Sequence, residues 1–173
     1  MYSRIRRFVK HLWLDQSDTR RAIGPAALQR LRDAVTASER RHSGEIRIFV
    51  EAGLPLASVL RRAPTAQLVR QRALALFSEL RVWDTASNNG VLIYLLLTER
   101  KIEIVADRGL NDLVDAQTWQ SLVAGMGVAF ATGRFEEGLA GALTGVSSLL
   151  EQHFALASAQ SNPNELPDTP LLG

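Results

Sequence analysis

The feature that most constrains the fold is a run of seven apolar residues in the middle of the chain, residues 91–97. The run is far shorter than a membrane span, which needs about 20 apolar residues. Because it is apolar on both faces, it is typical of a central β-strand that is covered by helices on each side. The sequence therefore predicts a layered α/β domain built around this strand.

Two flanking segments alternate apolar and polar residues and predict strands with one face on a core: residues 45–51 and residues 101–107. The short turn at residues 98–100 predicts an antiparallel hairpin with the central strand. A helix over residues 65–80 separates the first two strands and predicts a parallel pair joined by a right-handed crossover. We therefore expect an α/β fold, a three-layer α/β/α sandwich with a small mixed sheet.

The rest of the chain divides into helices and a tail. Apolar residues at helical spacing predict further helices near residues 24–43, 116–132 and 135–157. Three of the six prolines lie beyond residue 158 and predict an extended or disordered tail. We expect a basic amphipathic helix at residues 1–22, an α/β domain at residues 23–157 and a disordered Pro-rich tail at residues 158–173.

Composition excludes several functional classes. The chain has no cysteine, which rules out a disulfide framework, thiol catalysis and cysteine-ligated metal centres. The net charge of +2 conceals an asymmetry, because residues 1–42 have a net charge of +6 and residues 99–173 one of −6. Such an asymmetry indicates different contacts at the two ends, not one nucleic-acid surface. With no apolar span and no secretory signal, we expect a cytoplasmic protein.

The N-terminal segment combines an apolar stripe with a basic face. The apolar positions are Ile5, Phe8, Val9, Leu12 and Trp13, and the basic ones are Arg4, Arg6, Arg7 and Lys10. A helix of this kind most often packs on its own domain. The functional alternative is contact of the four basic residues with a partner or with anionic lipid, at the inner face of a membrane.

Oxygen-bearing side chains concentrate at one end of the predicted sheet. The loop before the central strand, the loop after the last strand and the start of the first strand all meet there. The residues concerned are Glu45, Asp84, Asn88, Asn89, Asp107, Asn111, Asp112 and Asp115. Carboxylate and amide oxygens suit a hard cation such as Ca²⁺ or Mg²⁺. The same residue types also serve as helix caps and in turns, and Asp115 is well placed to be a cap.

Four motifs, in this order, resemble the TPM domain family. They are Ser43-Gly44-Glu45-Ile46, Asn88-Asn89-Gly90-Val91-Leu92-Ile93, Ile102-Glu103-Ile104-Val105-Ala106-Asp107-Arg108-Gly109, and Phe130 with Gly133-Arg134-Phe135 and Gly138. The resemblance spans residues 26–154 and is to a stand-alone bacterial member without signal peptide or transmembrane span. It implies an α/β/α sandwich, divalent cation binding, weak acid-phosphatase activity and assistance to membrane complexes. Asn88 stands where the family usually has Asp, Asp107 where many members have Gly, and Asp115 matches a family Asp.

The resemblance implies a non-enzymatic accessory or interaction module of the TPM type, whose partner is a protein of a membrane complex. The predicted ligands of Ca²⁺ or Mg²⁺ are Glu45, Asp84, Asn88, Asp107, Asp112 and Asp115. The first alternative is a weak metal-dependent acid phosphatase at the same end of the sheet, with Arg108 orienting phosphate. The third is nucleic-acid or anionic-lipid binding through the N-terminal helix, and nucleic acid ranks last because no aromatic stacking platform accompanies the basic residues.

Overall fold

A single mixed sheet organises the chain, for which the computed structural model describes residues 16–157 and 160–173. Its strands are β1 (Ile46–Glu51), β2 (Val91–Leu96), β3 (Lys101–Ala106) and β4 (Leu171–Leu172), in the order β3-β2-β1-β4. β1 runs parallel to β2 and β4, and β2 pairs antiparallel with β3. The predicted α/β fold, with its parallel crossover and antiparallel hairpin, is confirmed. The predicted lipid contacts Arg4, Arg6, Arg7 and Lys10 lie outside the described residues.

Helices cover both faces of the sheet. One face packs against α1 (Gln16–Ala22), α2 (Pro25–Glu39), α6 (Ala116–Gly125), α7 (Gly127–Ala131) and α8 (Phe135–Phe154). The other packs against α3 (Leu56–Val59) and α4 (Thr65–Glu79), while α5 (Arg108–Asn111) follows β3. No helix within residues 16–157 and 160–173 is long and apolar enough to cross a membrane.

The central strand divides its side chains between two cores. All six residues of β2 are buried, and alternate positions face opposite layers. Val91, Ile93 and Leu95 join the larger core, whereas Leu92, Tyr94 and Leu96 join the smaller one. Since full burial of an aliphatic side chain is worth about 1.5–3 kcal/mol, this strand is a large part of what holds the layers together.

The helix predicted over residues 116–132 is two helices in the structure. α6 ends at Gly125 and α7 begins at Gly127, with Met126 between them. Glycine is the weakest helix former apart from proline, and two glycines in three residues make this the point where the helix breaks. Met126 is buried in the larger core.

The C-terminal segment, residues 160–173, packs on the domain, so the prediction of a disordered tail is wrong for these residues. The side-chain amide of Asn162 donates to the carbonyls of His42 and Gly44 at 3.2 and 3.3 Å. The segment ends in β4, which pairs with the open edge of β1. The prolines explain the difference, because they restrict the unfolded chain and so lower the entropic cost of ordering it.

The helix α1 also belongs to the domain, which moves the predicted boundary at residue 22. Thr19 is fully buried, and its hydroxyl donates to the carbonyl of Gly173 at 3.0 Å. The backbone N–H of Ala52 donates to the same oxygen at 3.1 Å. Residues 16–22 therefore pack between β1 and the C-terminal segment.

Candidate functional site

The register of the sheet places two predicted site residues, Glu45 and Asp107, in one row with Gly90. The backbone N–H of Val91 donates to the carbonyl of Glu45 at 2.8 Å, and that of Asp107 donates to the carbonyl of Gly90 at 2.9 Å. Glu45, Gly90 and Asp107 thus follow one another across β1, β2 and β3. We call this edge, with the loops at residues 84–90 and 107–115, the acidic end of the sheet.

The two loops of the acidic end lie in direct contact. The N–H of Gly109 donates to the carbonyl of Asn88 at 2.9 Å, and the Arg108 guanidinium donates to the Asn88 side-chain oxygen at 3.4 Å. Glycine is required at position 109, since a Cβ there would lie 2.5 Å from the Asn88 carbonyl oxygen. A Cβ at Gly90 would likewise collide with the carbonyl of Val82. These contacts fix how the loops meet.

Two of the predicted metal ligands have other roles in the structure, and a third is exposed. Asp84 forms an ion pair with Arg81 at the surface. Asp115 caps α6, because its two oxygens accept from the N–H and the hydroxyl of Thr118, both at 2.8 Å, and these hydrogen bonds lower the pKa of Asp115. Asp112 is exposed at the end of α5. Asp115 is therefore a helix cap, which is the alternative role that the sequence indicated for it.

Three other oxygens at this end are buried and have no hydrogen-bond partner in the described part of the chain: Glu45 Oε1, Asn89 Oδ1 and Asp107 Oδ2. The remaining atoms of these groups are satisfied. Asp107 Oδ1 accepts from the N–H of Arg108 at 2.7 Å, and the Asn89 amide donates to Ser43 Oγ at 3.2 Å. A buried polar group that is left unsatisfied costs about 1–3 kcal/mol. These oxygens therefore favour a cation or ordered water beside them.

The predicted set of six ligands does not come together as one cage. Within residues 16–157 and 160–173, no group of three or more histidine and carboxylate side chains is placed to hold a metal ion. The donor chemistry that remains is a smaller set of hard oxygens, with Asp107 as its carboxylate and the turn at residues 88–89 beside it. These residues fit at most a weakly held hard cation.

Comparison with known proteins agrees with this architecture. Residues 17–149 match the model of the TPM domain family. The chain belongs to the TPM domain family. Its fold is also similar to the NMR structure of the BA42 protein from the psychrophilic bacterium Bizionia argentinensis, with a TM-score of 0.73 and 26% identity. That match covers 87% of this chain and 95% of the other. No curated protein matched.

This TPM domain holds a second polar cluster, which the sequence analysis missed. It lies under the C-terminal segment and consists of Glu39, Glu45, Arg47 and Asp168. Glu39 Oε1 accepts from the N–H of Ile46 at 2.8 Å, and Glu45 Oε2 accepts from the N–H of Leu166 at 3.0 Å. Glu45 is therefore engaged with the C-terminal segment, which sets it apart from Asp107. A cavity of about 340 Å³ adjoins the cluster beside Glu39 and Asp168.

Burial governs the charge of this second cluster. Burial, together with the neighbouring Glu45 and Asp168, raises the pKa of Glu39 to about 9. Burial also raises the pKa of Glu45 and lowers that of Arg47. One signal in the sequence could have found Glu39: it continues the row of Leu31 and Val35 at intervals of four along the buried face of α2.

His42 is part of the interior of this TPM domain. It is fully buried between Ser38, whose Oγ lies 2.8 Å from Nε2, and the carbonyl of Gly44, 3.1 Å from Nδ1. Burial lowers the pKa of His42 to about 4, so the ring is neutral at pH 7. Its contacts give it a structural role.

Proposed function

We propose that this TPM domain is a non-enzymatic interaction module that binds one divalent cation, Ca²⁺ or Mg²⁺, at the acidic end of its sheet. The observation that supports the proposal best is the buried Oδ2 of Asp107, which no described group satisfies. A carboxylate oxygen that has lost its water is stabilised by a hard cation. Asn89 Oδ1 is the second candidate donor because it is buried, unsatisfied and in the adjacent loop.

The cation would act by tying the two loops of the acidic end together. Asp107 begins one loop, while Asn88 and Asn89 belong to the other, and the two already meet through Gly109. Affinity rises with the number of charged ligands, and one carboxylate predicts a weak site with a Kd of about 10⁻³ M. The surface so ordered is our proposed contact for a protein partner of a membrane complex.

The test is a proton–nitrogen correlation NMR titration of the protein with CaCl₂ and then with MgCl₂. We expect shifts confined to residues 84–90 and 107–112, and their loss in Asp107→Asn. Asp115→Asn is the matched control, since both oxygens of Asp115 are occupied by Thr118. Equal titration of wild type and Asp107→Asn, or no shift at all at millimolar cation, would contradict the proposal.

Metal-dependent phosphatase activity is a second candidate, favoured by the position of Arg108. Its guanidinium lies beside Asn88, next to the proposed cation, where a phosphate oxygen could be held. Hydrolysis of p-nitrophenyl phosphate that requires added cation and falls in Arg108→Gln would support an enzyme. Cation binding without hydrolysis would support the interaction module and contradict the enzyme.

A further inference from the structure

A cavity of about 690 Å³ lies along the outer edge of β3 and is called the β3-edge pocket below. In the described part of the chain, β3 is the last strand on this side of the sheet. The walls come from β3, α4 and α6 and include Arg70, Ile104, Ala106, Trp119 and Val123. Pockets of about 300–1,000 Å³ are the size that holds small molecules.

The floor of the β3-edge pocket is apolar. Ile104, Trp119 and Val123 line the pocket and also pack against the larger core, which holds them in place. Ala124 lines it as well, and its small side chain leaves the space open. Because apolar surface gains free energy when it leaves water, this floor favours an occupant with an apolar body.

The backbone of β3 directs hydrogen-bond donors toward the same space. Asp107 donates to the carbonyl of Gly90, so residues 103, 105 and 107 are those that bond to β2. Because the bonding direction alternates along an antiparallel strand, residues 102, 104 and 106 turn their N–H and C=O groups away from β2. Ile104 and Ala106 line the pocket. Their N–H groups therefore point to the side where an occupant would lie.

Two side chains add further donors. The indole N–H of Trp119 is buried and has no hydrogen-bond partner in the described residues. The hydrogen bonds that Arg70 forms with Glu103 and Ile104 both use Nη1, so Nε and Nη2 can bind an acceptor. The β3-edge pocket thus combines an apolar floor with several donors, and it suits a molecule that brings acceptor oxygens.

Glu103 is the carboxylate that now pairs with Arg70, and the pair is loose. Its N···O distance is 3.5 Å, and the two side chains are 46% (Arg70) and 27% (Glu103) exposed. Burial raises the pKa of Glu103, so its surroundings stabilise the charged form poorly. A carboxylate that approaches Arg70 more closely can therefore compete with Glu103 for it.

Arg70 also makes an added β-strand a poor occupant. An extended peptide would use the outward carbonyl of Ile104 as an acceptor for one of its own N–H groups. The guanidinium of Arg70 already donates to that carbonyl at 2.9 Å. A charged side chain at an edge strand is a common protection against pairing with another chain. The occupant that fits is therefore a small molecule and not a peptide strand.

We propose that the β3-edge pocket binds a small carboxylic acid with an apolar body, whose carboxylate is held by Arg70 and the N–H groups of β3 while its body lies on Trp119. Such an acid is ionised at pH 7. An arginine holds a carboxylate by charge-assisted hydrogen bonds, which are stronger than neutral ones. The inference goes beyond the proposed function, because the pocket lining does not include Asp107 and binding requires no cation.

The experiment is a proton–nitrogen correlation NMR titration of the full chain with 4-phenylbutyrate in EDTA, which removes any effect of a cation site. We expect shifts of the Trp119 indole N–H and of the Ile104 and Ala106 amides. The alcohol 4-phenylbutan-1-ol has the same apolar body without the charge and should bind far more weakly.

Two variants of the ion pair should have opposite effects. Arg70→Gln should weaken 4-phenylbutyrate binding about tenfold, because it removes hydrogen bonds between charged groups. Glu103→Gln should tighten binding, because it removes the carboxylate that competes for Arg70. A pair with only a structural role would not produce effects of opposite sign.

The chain offers a matched control pair and a variant that fills the pocket. Arg30 and Glu136 form an exposed ion pair at 2.6 Å between α2 and α8, and neither lines the pocket. Arg30→Gln and Glu136→Gln should bind 4-phenylbutyrate as the wild type does. Ala124 is exposed, so Ala124→Phe should fill the pocket and abolish binding while the signals of the larger core keep their wild-type positions.

Three results would overturn the inference. The first is no shift of the Trp119 indole N–H at millimolar 4-phenylbutyrate. The second is equal binding of the acid and the alcohol, which would show that the carboxylate is not recognised. The third is a change of affinity in the same direction in Arg70→Gln and Glu103→Gln.

Discussion

At the scale of single residues, buried ionisable groups distinguish this domain most clearly. Glu39 is 4% exposed and shares its surroundings with Glu45 and Asp168, which lie on separate parts of the chain. Three carboxyl groups and one buried arginine cannot all be charged at low cost, so Glu39 holds a proton. The sequence could not predict this, because Glu39 and Asp168 are brought together only by the folding of the C-terminal segment.

Glu39 should make the stability of the domain fall as pH rises. Its pKa is about 9 in the folded protein against 4.5 for the free group, so its contribution is fully present below pH 4.5 and is lost as pH rises through 9. Glu39→Gln keeps the carbonyl that accepts from Ile46 and cannot ionise. Urea unfolding should show that the wild type loses several kcal/mol more than the variant across that window, since each pKa unit corresponds to about 1.4 kcal/mol. Parallel pH profiles would contradict the assignment.

His42 should show the opposite dependence. Burial lowers its pKa from 6.5 to about 4, so the stability it contributes is present above pH 6.5 and is lost as pH falls through 4. The ring Cε1–H signal of His42, followed by NMR, should therefore not titrate between pH 5.5 and pH 8. A midpoint near 6.5 would show that the ring is accessible to water and would contradict the lowered pKa of His42.

At the scale of elements, a strand could be predicted from the sequence only where it was long enough to show a pattern of apolar residues. β2 could be predicted because the seven consecutive apolar residues 91–97 are typical of a strand covered on both faces. β4 could not, because two residues contain no period and the prolines before it favour a tail. The strand topology predicted where the acidic end lies. It could not predict the role of each side chain there, because that role depends on local partners such as Thr118, which donates to Asp115.

Removal of residues 160–173 should expose the edge of β1. The N–H of Ala52 donates to Gly173, whereas the N–H of Val91 donates to Glu45 inside the sheet. Hydrogen exchange should therefore show lost protection at Ala52 and retained protection at Val91, provided that the truncated chain stays folded. Unchanged exchange at Ala52 would mean that β4 does not cover this edge in solution.

At the scale of the whole molecule, the two ends of the sheet differ in chemistry. The acidic end presents Asp84, Asp107 and Asp112, while the other end presents Leu56 and Leu60, which are 52% and 59% exposed. The charge asymmetry of the sequence predicted separate contacts for the two ends of the chain, but it could not show which side chains lie at each end of the sheet. The described structure thus places an acidic and an apolar surface at opposite ends of one sheet.

The acidic end should act independently of the opposite end. Leu56→Ser/Leu60→Ser should leave the cation-induced NMR shifts unchanged, because distant sites without shared contacts are additive. The measurement is the same CaCl₂ titration of the variant and of the wild type. Altered shifts or a different midpoint in the variant would instead show coupling between the ends.

The oxygen of Gly173 that accepts from both Thr19 and Ala52 has a consequence for engineering. Thr19 and Gly173, which lie near the two ends of the described residues, are therefore joined by a hydrogen bond. Neighbouring termini are what make circular permutation possible. With residues 1–15 removed, a short flexible linker from Gly173 to Gln16 would close the chain into a ring, and reopening it in an exposed loop would give new termini far from this junction. Such a permutant would keep β4 on β1 and would allow a reporter to be attached at the new termini.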